Sequence, residues 1–393
     1  MDEIRIGVAG LGHRSHMWLR HLLNMPGYRI TAISDWIEPL HEKFLAGIPY
    51  RDEVACFTDY EEFIASDKID AVALCVRRMD QGALAARALE AGKHVTSEVP
   101  AAHTIEDCWR IVLATERTGK CYLLAEQARY WSFVKEWRDL VATNELGKIC
   151  YCEGQYIGYY GTKQFFQDFK TGKQYPVEEL KDHPEAEPTV FTTMPPIHYL
   201  PHELSPMLKV LDDRVIQVVG MGTDAPSNSH PEVGQPDIQV ALMKTEKGTV
   251  LRMAVGFAMR GPTKDDHHWY QLMGSHGRVE WRRRPSDNPR MWQAKGDHEE
   301  MMDMNWKMED PAAPDAAKGS GHGDADYYVQ RAFRDCLLDG IMPEIDVYTA
   351  MDTAAPAILA ADSIEQGSIP FDVPDFRPGP TRKSGETPEG FVL

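Results

Sequence analysis

A short apolar strand, Ile4-Arg-Ile-Gly-Val-Ala9, runs directly into Gly10-Leu-Gly12-His-Arg-Ser15 and then into a helical stretch, His16 to Asn24. Few folds tolerate that junction. Gly10 permits the tight turn, and Gly12 lets the backbone approach a bound group closely. Ser15 holds the place of a third glycine and is small enough for a helix to pack on the strand. An anion lying on this turn meets the free N–H groups and positive dipole end of the helix. A second strand, Tyr28 to Ser34, ends at Asp35, where a carboxylate can bind both ribose hydroxyls and repel a 2′-phosphate. Strand, glycine turn, helix, strand and acid together form the dinucleotide fingerprint, with NAD favoured over NADP.

Strand and helix go on alternating. A helical segment follows Asp35. Asp70 to Val76 reads as a buried strand, Gln81 to Ala91 as a helix stopped by Gly92, and Lys93 to Ser97 as a strand. Ile105 to Thr118 reads as a helix closed by Gly119, and Cys121 to Ala125 as a further strand. Such alternation implies parallel pairing and right-handed crossovers. Further on, residues 150–157, 215–221, 238–244, 250–257, 269–274 and 278–281 read as strands, several with period two, with short polar turns between adjacent ones. The predicted fold is therefore α/β: an N-terminal Rossmann doubly wound parallel sheet over 1–125, then an α+β domain with an open, mainly antiparallel sheet over 126–393. A late helix, 347–367, is expected to be kinked at Pro356 and to pack back toward the first domain. Residues 163–196 and 297–323 read as loop-rich.

The chain of 393 residues carries 60 Asp plus Glu against 42 Lys plus Arg, a formal charge of −18. That excludes a nucleic-acid or anionic-membrane partner, because phosphates are repelled. It leaves room for a locally basic cofactor cleft built from His13, Arg14, Arg77, Arg78 and Arg129. The opening residues lack the basic and apolar regions of a secretory signal, so a cytoplasmic location is expected. The seven cysteines are expected as free thiols, with Cys150 and Cys152 on one strand face. His267-His268 and His298-Glu-Glu300 fit no standard metal spacing, and no metal is expected.

The glycine turn, Asp35 and the phrase Ala91-Gly-Lys-His-Val-Thr-Ser-Glu98 together resemble the Gfo/Idh/MocA oxidoreductases. In that family Glu-Lys-Pro usually follows the Gly-Lys-His-Val strand, and the Lys helps the substrate alcohol lose its proton. Here Glu98-Val99-Pro100 stands instead, and His198 occupies the place of the family's Asp four residues before its catalytic His. These departures are similar to one branch, the NAD-dependent glycosidases typified by α-N-acetylgalactosaminidases. So are Glu106-Asp-Cys-Trp109, Glu126-x-x-x-Tyr130, Glu153-Gly-Gln-Tyr156, Tyr199-Leu-Pro-His202, His322-Gly-Asp-Ala-Asp-Tyr327 and Asp346-Val-Tyr348. The resemblance implies a sugar site of Glu126, Tyr156, Tyr199 and His202. It completes a cofactor set of Gly10, Leu11, Gly12, His13, Arg14, Ser15, Asp35, Arg77, Gln81 and Glu98. Glu98 is implied beside the nicotinamide ribose, and Gln81 where the family often has His. The branch also carries a substrate-contacting Arg shortly before Tyr-x-x-His, whereas residues 163–196 contain none.

The chemistry that goes with this branch is redox-neutral. Oxidising the C3 hydroxyl of the sugar acidifies the C2 hydrogen. Loss of that proton lets the C1 leaving group depart, water adds at C1, and C3 is reduced again. With no lysine present, His202 is the implied base for the C3 hydroxyl. Tyr199 assists or acts at C2, and Tyr156 or Glu126 serves the leaving group or holds a hydroxyl. The implied partners are NAD, a sugar or glycoside, and further copies of the chain in a homodimer or homotetramer. The alternative is an NAD-dependent sugar dehydrogenase or 3-keto-sugar oxidoreductase, against which Val99 weighs.

Overall fold

The structure is a computed structural model that describes residues 3–263, 266–296 and 298–391. Asp297, the expected start of the second loop-rich stretch, lies outside them. The first unit runs β1 (Ile4–Ala9), α1 (His13–Asn24), β2 (Tyr28–Ser34), α2 (Pro39–Leu45), β3 (Ala55–Phe57) and α3 (Tyr60–Ala65). It continues through β4 (Ala71–Leu74), α4 (Arg78–Glu90), β5 (His94–Ser97), α5 (Ile105–Thr118) and β6 (Tyr122–Leu124). Its six strands lie in the order β3-β2-β1-β4-β5-β6, and every neighbouring pair is parallel. Helices cover both faces, so β4 is wholly buried and reads as an unbroken apolar run. The order reverses between β1 and β4, which opens a crevice at their carboxyl ends. The glycine turn enters that crevice from β1, and Arg77-Arg78 enters it from β4.

Local signals explain the boundaries. Thr104 caps α5 through its hydroxyl, and Gly119 closes it in the left-handed region at φ 66°. Helix α4 starts at Arg78, three residues before the sequence pattern suggests. Its polar first turn hides the helical period, while Asp80 there suits the positive helix end.

The second unit begins with α6 (Ser132–Ala142) and β7 (Ile149–Ile157). Three two-residue strands follow, β8 (Phe166–Gln167), β9 (Gln174–Tyr175) and β10 (Glu187–Pro188), then α7 (Val190–Thr193) and α8 (Pro201–Leu211). Next come β11 (Val215–Gly222), β12 (Gln239–Thr245), β13 (Val250–Gly256), β14 (His268–Gly274), β15 (Gly277–Glu280), β16 (Arg290–Gln293) and β17 (Met302–Asp303). The last elements are α9 (Ala325–Asp339), α10 (Val347–Glu365) and β18 (Phe371–Asp372). The large sheet has nine strands in the order β17-β16-β15-β14-β7-β13-β12-β11-β18. Only β7 and β13 pair in parallel; all other neighbours are antiparallel. The stretch 163–196 is better ordered than expected, because β8, β9 and β10 form a small sheet of their own.

Two glycines allow the helices onto the large sheet. A side chain at Gly154 on β7 would press against Met253 and Glu203, the latter on α8. A side chain at Gly220 on β11 would collide with the Ala360 carbonyl of α10. Helix α10 continues through Pro356 and packs against both α5 and β11. Helix α9 also packs on the first unit: Val329 and Phe333 share a core with Ile4, Ile6, Val8 and Leu22.

The seven cysteines are free thiols. Cys150 and Cys152 do not share a face, contrary to expectation. The β7–β14 register shifts so that Met273 faces Tyr151 while Gly274 faces Ile149. Cys150 is the residue left over at this bulge and is exposed, while Cys152 is fully buried.

Candidate active site

The glycine turn has the geometry a dinucleotide needs. Gly10 sits at φ 81°, and any side chain there would collide with the Cys75 carbonyl on the neighbouring strand. Gly12 has open space where its side chain would be, at the N-terminus of α1, which no side chain caps. Ser15 is buried, and its hydroxyl donates to the Gly12 carbonyl at 2.8 Å, fixing the first helical turn. His13 is exposed at the mouth. At the end of β2, Asp35 accepts from Leu11 N at 2.8 Å and from Ile37 N at 2.9 Å. Leu11 therefore acts by holding the acid against the turn. These residues fit an NAD molecule with its pyrophosphate on α1 and its adenosine ribose at Asp35.

The opposite wall is built from Glu98, which directly follows β5. Arg14 pairs with Glu98 and, through both Nη atoms, with Asp326 on α9, at 2.8 and 3.1 Å. Glu98 also accepts from Val99 N at 2.7 Å. Gln81 is fully buried, and its amide donates to the carbonyls of Glu98 and Pro100. In this structure Gln81 thus reaches the cofactor edge through the backbone it pins.

The basic cleft foreseen from sequence is smaller than expected. Arg14 is matched by two carboxylates. Arg129 lies elsewhere, bound to Glu344 at 2.9 Å and to the Ser205 carbonyl at 2.8 Å. Of the five residues, Arg77 and Arg78 are the arginines with no ion pair among the described residues. They diverge. Arg77 lies between the rings of Trp36 and Phe169, at 5.1 and 5.3 Å. Arg78 lies over Tyr199, its Cζ 3.8 Å from the ring centroid.

The four sugar-site candidates converge beside this wall. Glu126 follows β6, is wholly buried, and accepts from Ala128 N at 2.9 Å. Its other oxygen lies 2.9 Å from Nδ1 of His202. His202 is the second residue of α8, which Pro201 starts with a preset φ. Tyr199 precedes it by three residues in a short 3-10 turn, so the two rings lie side by side, 6.1 Å apart. Tyr156 comes from β7 and meets His202 edge-on at 5.7 Å. The placement of Glu126 behind His202, away from solvent, suits orienting the imidazole rather than touching a sugar.

A second histidine–glutamate pair was missed. His268 on β14 is directly opposite Tyr156 in the sheet register, so their rings stack at 4.1 Å. Its Nδ1 lies 2.5 Å from the buried carboxylate of Glu203. The sequence showed His267-His268 only as a possible metal pair. Among the described residues no cluster of three or more metal-ligating side chains forms. Tyr160 was also missed; its hydroxyl is 2.9 Å from that of Tyr156.

The electrostatics separate the groups. Burial alone would lower the His202 pKa, but Glu126, and more distantly Glu98 and Glu203, raise it above the ordinary histidine value. Tyr156 is pushed well up by burial and then by Tyr160, so it stays a proton donor. His198, at the place of the family's Asp, is driven down to about 3 by burial and then by His103 and Arg78. It stands neutral, with its Nδ1 3.2 Å from that of His103. Val99 is buried and offers no group for acid–base chemistry.

Residues 4–126 match the oxidoreductase family with an NAD-binding Rossmann fold, and residues 230–383 match the C-terminal domain of glycosyl hydrolase 109. A glycosyl hydrolase family 109 protein of Saccharopolyspora erythraea is 25% identical, over 100% of this chain and 86% of its own length. An α-N-acetylgalactosaminidase of Bacteroides fragilis is 26% identical, over 98% of this chain and 94% of its own. A crystal structure of scyllo-inositol dehydrogenase from Lactobacillus casei with bound NAD(H) and scyllo-inositol superimposes with a TM-score of 0.69. It is 15% identical and is covered to 99%, against 94% of this chain.

Proposed function

Because the chain joins a Gfo/Idh/MocA NAD-binding domain to a glycosyl hydrolase 109 C-terminal domain, we propose that it is an NAD-dependent glycoside hydrolase. The observation that carries this reading is the His202–Glu126 pair, set beside the cofactor wall where Val99 leaves no lysine. When bound, NAD supplies a hydride acceptor for C3 and returns the hydride at the end, so the net reaction is hydrolysis. His202 takes the proton of the C3 hydroxyl. Glu126 holds its Nδ1, so that Nε2 faces the sugar, and steadies the imidazolium that forms. The Tyr199 hydroxyl is buried with no hydrogen-bond partner among the described residues and is assigned to the C2 side of the sugar. Tyr156, kept protonated, is assigned to the leaving oxygen, with Tyr160 behind it. The half-exposed apolar residues Met221, Leu242 and Val250 on the large sheet support a homo-oligomer through that face. No helix among the described residues is long and apolar enough to cross a membrane, and we place the enzyme in the cytoplasm.

The test is redox balance. With a sub-stoichiometric amount of NAD and a panel of aryl glycosides, aglycone release should exceed the NAD present many times over, without net NADH. Stoichiometric NADH from free sugar, with no aglycone released, would instead establish a dehydrogenase.

A further inference from the structure

Among the described residues Arg78 makes no ion pair. It starts α4 at the carboxyl end of β4, at the crevice between β1 and β4. Its Cζ lies 3.8 Å over Tyr199, and its Nη1 is buried with no hydrogen-bond partner among the described residues. Guanidinium groups stay charged in proteins and favour paired, planar acceptors. The surroundings do not supply one. Glu98 is spent on Arg14 and Val99 N. Tyr156 stays protonated, and His198 is neutral. Burial, followed by the incomplete compensation from Glu98 and Tyr156, brings the Arg78 pKa down to about 10. The Arg78 guanidinium is thus left without a paired, planar acceptor among the described residues.

Two ligands can bring an oxyanion here, the cofactor pyrophosphate and the sugar. The pyrophosphate has its own seat at Gly12 and the α1 N-terminus. Arg77, the neighbour of Arg78, points to the Asp35 end of the crevice, over Trp36. Arg78 points the other way, onto Tyr199, within the aromatic wall formed with Tyr156. We propose that Arg78 is the specificity-determining residue of this site and that the sugar it selects carries a carboxylate, as a hexuronic acid does. This rests on the proposed function for where the sugar lies. A planar carboxylate would take both Nη hydrogens of the fork in a charge-assisted pair. It also gives this chain a substrate cation on a different element from the stretch 163–196, which holds no Arg.

Binding tests this separately from cleavage. Titrating the NAD-loaded protein with D-glucuronate, D-galacturonate, D-glucose and D-galactose by calorimetry should show at least one uronate bound about tenfold or more tighter than its parent hexose. Arg78→Gln should reduce that preference to within about twofold, and Arg78→Lys, which keeps the charge but loses the fork, should retain part of it. Uronate preference in the native protein without hydrolysis of any uronide would sink the glycosidase reading yet support Arg78 as the selector. Equal binding of uronates and hexoses by the native protein would overturn the proposal. So would an Arg78→Gln variant that keeps the preference, or one that loses NAD affinity while keeping it, since the cation would then belong to the cofactor.

Discussion

Replacing His202 with alanine is expected to cut kcat by about 10³-fold, a typical contribution of a positioned general base, while the NAD dissociation constant stays within about threefold. The imidazole touches no part of the glycine turn, so cofactor binding should be spared. The pH profile then separates the base from its support. His202 acts when neutral, and its pKa is held above the ordinary histidine value of about 6.5 by Glu126 in spite of burial. In the native enzyme kcat/KM should therefore fall on acidification through a pKa above that value. Glu126→Gln keeps the shape of the site and removes the charge. Burial then acts with less opposition, and the acidic limb should move to lower pH, with a smaller loss of kcat than His202→Ala causes. An unshifted limb in Glu126→Gln would show that another group sets the profile.

Arg14→Ala should be the most destabilising single change at the cofactor wall. Arg14 ties three elements: α1, the end of β5 at Glu98, and α9 at Asp326. Asp326 is almost entirely buried, with a side chain 1% exposed, and Glu98 is largely buried at 14%. Removing the cation leaves two buried carboxylates, of which Asp326 keeps His322, at 3.1 Å, as its one ion-pair partner among the described residues. Breaking a buried pair from one side costs about 3 kcal/mol or more. The sign of the pH dependence is specific. Burial alone would raise the Asp326 pKa, but His322 and Arg14 outweigh it and hold the pKa well below the usual carboxylate range. The native contribution is thus present above about pH 4 and fades as the pH falls further. In Arg14→Ala the Asp326 carboxylate loses that support, so its protonation should relieve part of the strain. The gap in melting temperature between native and variant should be widest near neutral pH and should narrow on acidification. The variant should also bind NAD more weakly, because Glu98 is no longer held.

Much of the framework was legible in the chain because it depends on local chemistry. The glycine turn, Asp35 and the two glycine helix stops each act within a few residues, and β7 and β11 to β15 advertise their half-buried faces by period two. What was hidden needed distance. Glu126 was visible as a strand-edge acid, but its role depends on a histidine in another helix. His268 looked like half of a histidine pair until the strand register set it opposite Tyr156. Arg14 and Arg129 looked like free cations because their carboxylate partners, Asp326 and Glu344, lie far along the chain. Helix α9 has no side-chain cap, and Asp324 ahead of it is in the left-handed region at φ 68°. Only packing against β1 and α1 reveals its place.

The central claim is that a hydrolysis with no net redox passes through loss of the C2 proton. Turnover of a cleavable glycoside in heavy water, followed by NMR of the released sugar, tests this directly. One deuterium at C2 per sugar released, with aglycone formation dependent on NAD and abolished in His202→Ala, is the predicted result. Aglycone release with hydrogen fully retained at C2 would contradict it.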